Sequence, residues 1–524
     1  MSDEKTTGSY YTPHDLIAFM IEYLEKEKQD FSNVLEPSAG DGRFLSLLLK
    51  KSLQVDAIEL FDEKVRSIRK LYSDPKLDVS KNDFIEYAAN SKKKYSLIIG
   101  NPPYISSKIM DKDKLEEARQ LCEMEHLSRS AMQNMWLAFV IGACRLLRPD
   151  GAIFYVLPME FLQVQYAEKI RNHLESKFNT IHIISFEKTI FTEIEQEICL
   201  VYLTNKGNES DHIYYKIYDD VNCKNPISVS LIQRNKPLQK WSNAILSDDE
   251  ISLLKEKGEL FTEIGTMGEI APGVVTGGNK YFILTEKKVK ECNCKKYVLP
   301  IVQKSSFIPN NTIEIDKNVL INIKKDKKPV YLLDLAKAPE KSKLPKELQE
   351  YLEWAGKQKV GDTELKKRFK CANRIPWYGV PIVNKGQVVF FKRYDLLPRI
   401  YINKIDVHTT DAGYHIRLKE EYDAESFVFC FFNSMTLAEC EYNGRYYGGG
   451  VSELVPSEFK SLTIPYRRIS KKDILELKRK FKREESIKEI VSFVNERTIS
   501  MDLSAEDVQK FEEIRQKLIR RRIE

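Results

Sequence analysis

Apolar positions in the first 205 residues switch between helical spacing and short continuous runs. Leu16, Phe19, Met20, Tyr23 and Leu24 share one face at helical spacing. They predict a helix opened by Thr12 as N-cap, with Pro13 at its first position. Residues 33–45 predict a short strand, a turn bearing Gly40 and Gly42, and a helix burying Leu45, Leu48 and Leu49. Strands follow at 56–60, 77–84 and 95–99, with a helix carrying Val65, Ile68 and Leu71 between the first two. Helices at 135–147 and 162–178 and strands at 151–157, 180–186 and 198–203 complete the alternation. This order predicts an α/β fold with a Rossmann-like, doubly wound and mostly parallel sheet.

The ends of these strands carry the chemistry. The run 95–99 stops at Gly100-Asn101-Pro102-Pro103-Tyr104. Two prolines in succession cannot donate to a sheet ladder and hold φ near −65°, so the chain leaves the sheet there. Asn101 and Tyr104 are thereby placed on a stiff loop at the carboxyl end of a strand, where open α/β sheets bind ligands. An amide beside a flat ring suits a planar base that carries an amino group. Three earlier strands end in or near Glu36, Glu59 and Asp83. The turn Glu36-Pro37-Ser38-Ala39-Gly40-Asp41-Gly42 lets backbone approach a ligand closely but is not the G-x-G-x-x-G dinucleotide pattern. Glu36 and Asp41 would repel a pyrophosphate, so the expected ligand is cationic or zwitterionic. Glu59, about 20 residues beyond the glycine turn, is placed to accept hydrogen bonds from ribose hydroxyls.

The periodicity changes at the polar link 206–211, and the stretches beyond are short, aromatic and β-branched. Basic clusters mixed with aromatic and glycine residues follow: 324–328, 366–370, 391–394 and 443–450. Their recurrence in one α+β segment fits a surface whose Lys and Arg contact phosphates while a few side chains read base edges. From Ser470 the chain is densely charged and helical. Ile474, Leu477, Phe481, Ile487, Ile490, Val491 and Val494 mark faces that pack on the body or on a partner. The expected domains are 1–240, 241–465 and 466–524.

Composition narrows the classes. With 524 residues, 42% hydrophobic and 10% aromatic, the chain has material for a large core and reads as a globular enzyme. No apolar run reaches the roughly 20 residues that span a bilayer, and Met1-Ser2-Asp3-Glu4-Lys5 does not open a signal peptide. Nine scattered cysteines without Cys-x-x-Cys predict reduced thiols in a cytoplasmic protein. Cys292-x-Cys294 lacks a second pair, so no metal is expected. The net charge of +6 permits a polyanionic partner without requiring one.

The order Tyr11-Thr12-Pro13, Glu36-Pro37-Ser38-Ala39-Gly40-Asp41-Gly42, Glu59, Asp83 and Asn101-Pro102-Pro103-Tyr104 resembles the gamma class of S-adenosylmethionine-dependent DNA adenine-N6 methyltransferases, the TaqI-like group. The resemblance covers residues 8–205. It continues more thinly through Thr276-Gly277-Gly278-Asn279-Lys280-Tyr281-Phe282 and 454–465, which are similar to TaqI-like recognition segments. It implies a class I methyltransferase fold, a C-terminal target recognition domain, S-adenosylmethionine as cofactor and double-stranded DNA as substrate. A separate cognate restriction endonuclease is an implied partner. Thr12 would then hold the methionine end of the cofactor and Glu36 its ammonium, with Pro37, Ser38 and Ala39 lining the turn. Glu59 would hold the ribose, Asp83 the adenine amino group, and Pro103 would lie against the cofactor. The Asn101 side-chain oxygen and the Pro102 carbonyl would accept from the target N6 amino group, while Tyr104 and Phe191 stack on the flipped base. Arg43 departs from the family, which has a small or apolar residue there; contact with the cofactor carboxylate or with DNA is open to it, and solvent is the favoured expectation. No cysteine follows a proline, which argues against the covalent route used at cytosine C5. The catalytic loop alone leaves open an RNA adenine or a protein glutamine as methyl acceptor, and a cofactor fold serving a non-catalytic specificity subunit.

Overall fold

Period-two alternation in the central strands puts one set of side chains under each layer of helices. In the computed structural model, which describes residues 11–523 except 108–109, 189–197, 208, 235–239, 244, 339, 362 and 448–449, the chain forms two units, Met1–Ile245 and Leu246–Glu524.

The first unit is built on a nine-stranded sheet. Its strands are β1 (Val34–Glu36), β2 (Val55–Glu59), β3 (Leu77–Lys81), β4 (Tyr95–Gly100), β5 (Leu147–Pro158), β6 (Thr180–Phe186), β7 (Ile198–Thr204), β8 (His212–Tyr218) and β9 (Ser228–Gln233), in the order β3-β2-β1-β4-β5-β7-β6-β8-β9. The first five run parallel, β7 is antiparallel to both β5 and β6, and β8 is parallel to β6. On β4 and β5, Leu97, Ile99, Ala152, Phe154 and Val156 face one core, while Ile98, Ile153, Tyr155 and Leu157 face the other. Helices α1 (His14–Lys26), α2 (Leu45–Lys51) and α3 (Asp62–Leu71) cover the first face. Helices α4 (Phe84–Asn90), α5 (Lys112–Met124), α6 (Met135–Leu146) and α7 (Glu168–Lys177) cover the second. This is the doubly wound, mixed sheet that the alternation predicts.

Three local expectations change. The sheet does not end near 203, because the alternating His212-Ile-Tyr-Tyr-Lys-Ile-Tyr run pairs with β6 and extends it. The helix expected from 162 begins at Glu168, after 3-10 turns at Met159–Leu162 and Gln165–Ala167. The buried Arg171 guanidinium takes the carbonyls of Phe161 and Val164 at 2.7 and 3.1 Å, oxygens that a continuous helix would have used itself. Thr12 is not a helix cap: α1 starts at His14, with Pro13 in the capping position and no side-chain cap bond.

In the second unit a five-stranded sheet joins β10 (Gly268–Pro272), β11 (Glu314–Ile315), β12 (Val388–Phe391), β13 (Arg399–Asn403) and β14 (Gly413–Leu418) in the order β10-β14-β12-β13-β11. Its core includes Phe390, Ile416, Phe427 and Phe459 together with Ile474, Leu477, Phe481, Ile490, Val491 and Val494, so the charged C-terminal helices bury their apolar faces in this sheet's own core. The last helix is tied in by Arg522, which donates to both oxygens of Glu441 at 2.8 Å with both side chains buried. Removing one partner of such a pair costs about 3–5 kcal/mol, because it leaves the other charge buried alone. No helix among the described residues is long and apolar enough to cross a membrane.

Helices α4 and α6 touch at Gly142 of α6. A methyl group there would lie 2.9 Å from both Ala88 Cβ and Phe84 Cε1 of α4. Gly142→Ala should therefore cost about 1–3 kcal/mol of stability by overpacking, read as a lowered denaturant midpoint. An unchanged midpoint would show that α4 and α6 are not held that close.

Candidate active site

Strands β2, β1 and β4 lie side by side, and the order reverses between β1 and β4, which opens a crevice at their carboxyl ends. Gly40 and Gly42 follow β1 with φ of +59° and +81°, a left-handed backbone that favours glycine. The turn they make reaches across to β2. There the Gly40 N–H donates to Glu59 Oε2 at 2.8 Å, and the Phe61 N–H donates to Oε1 at 2.9 Å. Both oxygens are thus oriented by backbone, and each keeps a lone pair for a ligand hydroxyl.

Nine of the twelve expected site residues line one cavity at these ends: Thr12, Glu36, Pro37, Ser38, Ala39, Glu59, Asp83, Asn101 and Pro103. Glu36 is only 1% exposed, and its Oε2 meets no hydrogen-bond donor among the described residues. Burial, with Asp41 and Glu59 adding negative charge nearby, holds its carboxyl well above the usual carboxylate range. A buried acid in this state favours a cationic ligand, the kind of group expected at Glu36 from the sequence. Asp83 caps α4 by accepting from the Ile85 N–H at 2.8 Å, and its other oxygen pairs with Lys114 Nζ at 2.5 Å. Phe84, Ile85, Ile105, Met135 and Phe139 give the cavity an apolar wall suited to a flat ring.

Asn101 is held from two sides. Its Nδ2 donates to Thr12 Oγ1 at 3.2 Å, and the Ser38 hydroxyl donates to its backbone carbonyl at 3.1 Å. Three segments distant in sequence therefore meet at one amide. The loop beyond is braced where Met135 N–H donates to the Ile105 carbonyl at 2.8 Å and Ser106 bridges Asn134. Pro102 is buried and, like Tyr104, stands outside the cavity lining. Tyr104 is half-buried, its ring packs on residues of both sheet faces, and its hydroxyl donates to the Val156 carbonyl of β5 at 3.1 Å. Phe191 lies outside the described residues.

Arg43 is half-buried and folds back over the turn instead of extending freely into solvent. Its Nε donates to Asp41 at 2.7 Å, its guanidinium sits 5.0 Å from the centre of the Tyr11 ring, and it lines the cavity with Lys64. The reason is local: an acid two residues before it and an aromatic face beside it draw the cation back over the turn. Phe61, Lys64, Lys114, Met135 and Phe139 also line the cavity and were not among the expected site residues. Phe61 carries a readable signal, an exposed aromatic two positions after a strand-end acid. Lys114 carries none, since it arrives on α5 from beyond the proline loop.

In the second unit, cations of two of the expected basic clusters have acidic partners within the unit. Lys392 and Arg393 share Glu453 at 3.2 and 2.9 Å, and Arg445 pairs with Glu458 at 2.9 Å.

Residues 34–191 match the family model of the Eco57I restriction-modification methylase, and residues 238–499 match that of the C-terminal domain of the type II methyltransferase M.Eco57I. The chain is 25% identical over 491 residues to the type II methyltransferase M.AccI of Acinetobacter calcoaceticus, covering 87% of this chain and 85% of that one. It is 24% identical over 200 residues to the type II restriction enzyme and methyltransferase RM.Eco57I of Escherichia coli, covering 37% of this chain and 20% of that enzyme. The fold is similar to that of the type IIL restriction-modification enzyme MmeI, solved in complex with DNA. There the TM-score is 0.61 at 13% identity, with 99% of this chain and 80% of that chain covered.

The raised Glu36 pKa has a sign that can be measured. The free protein keeps this carboxyl protonated further up the pH scale, so its folded state loses stability as pH rises from the ordinary carboxylate range through the raised value. A bound ammonium favours the ionised form. Affinity for S-adenosylmethionine should thus climb with pH through the same interval, until the ligand's own α-amino group begins to deprotonate at about 8. Calorimetry in buffers of different ionisation enthalpy should detect proton release on binding, and Glu36→Gln should abolish it. Binding without proton release in the unaltered protein would contradict the placement of the ammonium at Glu36.

Proposed function

We propose, for a chain that belongs to the Eco57I-type restriction-modification DNA methyltransferases, that its methyl acceptor is the N6 amino group of an adenine flipped out of double-stranded DNA. The cofactor of this family is S-adenosylmethionine, which supplies an electrophilic methyl group on a sulfonium. The observation that carries the adenine reading is the position of Asn101: an Asn-Pro-Pro-Tyr amide lining the same cavity as Glu36, Glu59 and Asp83, and fixed there by Thr12 and Ser38.

The amino nitrogen of adenine is a weak nucleophile because its lone pair is delocalised into the ring. Acceptors aimed at its two hydrogens favour a pyramidal nitrogen and localise that pair. In this reading the Asn101 side-chain oxygen is one acceptor and the Pro102 carbonyl, which proline retains, is the other. Both stabilise positive charge as it develops on nitrogen, and they do so from a loop already rigid before the base arrives. Tyr104, its hydroxyl anchored on β5, presents a ring for the base to stack on. Glu36, Glu59 and Asp83 fix the ammonium, ribose and adenine ends of the cofactor, so the methyl group faces the amide. The second unit reads the duplex, and the modification protects DNA from a cognate restriction endonuclease carried on a separate chain.

The test offers labelled S-adenosylmethionine and the full-length protein to a random duplex library, to structured RNA and to a glutamine-bearing peptide, followed by nucleoside separation. Label should appear as N6-methyladenine in one sequence context of duplex DNA. Asn101→Ala should lower the transfer rate by about a hundredfold or more, the scale of losing one preorganised transition-state contact, with cofactor affinity kept within about threefold. Label confined to cytosine, RNA or peptide would overturn the proposal, as would an Asn101→Ala protein turning over within tenfold of the original.

A further inference from the structure

The segment from Leu365 to Trp377 in the second unit inverts the usual surface pattern. Arg368 and Arg374 are half-buried against backbone and Leu365 and Trp377 pack on the core, whereas Phe369 and Ile375 point outward. Arg368 donates from a terminal nitrogen to the Gly277 carbonyl at 2.5 Å, and Arg374 donates to the carbonyls of Thr276 and Val275 at 2.8 and 2.7 Å. The residue after each arginine is exposed: Phe369 is 76% accessible and Ile375 fully so. Charge would ordinarily be left in water and the ring buried. Here two guanidiniums act as bolts, and two apolar prongs are held out between and beyond them.

The frame that receives the bolts is the turn Thr276-Gly277-Gly278-Asn279. Gly277 takes φ +82°, and a methyl group on it would lie 3.0 Å from Lys370 Cβ and 3.2 Å from Cys371 Sγ. One on Gly278 would lie 2.5 Å from Leu365 Cδ1. The turn and the segment are therefore in close contact along their length, and glycine is what allows it. The surroundings are basic. Lys366 and Lys367 share the single carboxylate of Glu364 at 3.6 and 3.4 Å, Lys370 Nζ stands 5.9 Å from the centre of the Phe369 ring, and Lys280 and Lys359 line the adjoining cleft with Asp411.

We propose that this segment is a preorganised apolar wedge for duplex DNA: Phe369 and Ile375 enter a groove and part adjacent base steps, while Lys280, Lys366, Lys367 and Lys370 hold the flanking phosphates. The inference rests on the reading of the chain as a DNA methyltransferase and adds the element with which it deforms its substrate. Exposed apolar side chains on an anchored segment with lysines nearby match a polyanion whose interior is a stack of flat rings, and side chains of this kind unstack and kink duplexes. Arg368 and Arg374, engaged with three carbonyls, are structural in this account and read no base.

Parted base steps unwind the helix, so the test is topological and needs no knowledge of the recognition sequence. Closed-circular plasmid free of adenine methylation is relaxed by a topoisomerase in the presence of the full-length protein, and the shift in linking number is read on a gel. The Phe369→Ala, Ile375→Ala double variant should lose at least half of the shift and bind plasmid at least tenfold more weakly. Its thermal midpoint and its affinity for S-adenosylmethionine should not change, since both side chains are exposed. Phe369→Leu should keep most of the shift. Lys366→Ala with Lys370→Ala should instead flatten the salt dependence of plasmid binding. A double variant that binds within twofold and gives the full shift overturns the wedge alone. Loss of binding to anionic vesicles with plasmid behaviour intact would also overturn it, by reassigning the prongs to a membrane. A full-length protein that bound and methylated no DNA would sink this inference together with the functional proposal beneath it.

Discussion

The hydrogen bond from Asn101 Nδ2 to Thr12 Oγ1 joins two parts of the chain 89 residues apart. One end lies on a loop that two prolines hold out of the sheet, the other on the residues leading into α1. The Ser38 hydroxyl, donating to the carbonyl of Asn101, adds the glycine turn after β1. A reacting amide must be held to a fraction of an ångström, and a loop alone does not do that. Here two strand ends and the residues leading into α1 are locked to one another by two hydrogen bonds. The cavity is therefore shaped before any ligand enters it.

Electrostatics gives that cavity its direction. Glu36 is buried without a donor on Oε2, whereas Glu59 and Asp83 are each oriented by backbone amides. The three acids are not equivalent, because the one lacking compensation is the one that gains most from a ligand cation. Lys114 already occupies one oxygen of Asp83, so an amino group brought to that carboxylate would have to share it or displace the lysine. Arg43 and Lys64, drawn over Tyr11, put positive charge at the mouth near Asp41.

What could be read along the chain was what depends on neighbours. Strand ends marked by acids, the glycine turn and the Pro-Pro exit are all local, and each is legible because steric rules act within a few residues. The doubly wound class followed from the alternation alone. The misreadings have partners far away. Thr12 sits before a proline, so capping was the natural expectation, yet its hydroxyl is taken by an amide 89 residues on. Residues 212–218 alternate as a strand should, but their pairing with β6 depends on a neighbour more than 25 residues upstream. The basic run at 366–370 looked uniformly available for phosphates, whereas Arg368 is spent on a carbonyl 91 residues earlier.

Single-turnover methyl transfer by Thr12→Val, at saturating cofactor and DNA, tests most directly whether the threonine positions the Asn101 amide for the proposed reaction. Valine keeps the shape and removes one hydrogen bond worth about 1 kcal/mol. The account predicts a rate about five- to tenfold lower, cofactor affinity within about threefold, and recovery in Thr12→Ser. An unchanged transfer rate accompanied by much weaker cofactor binding would contradict it, and would place Thr12 on the cofactor instead of on Asn101.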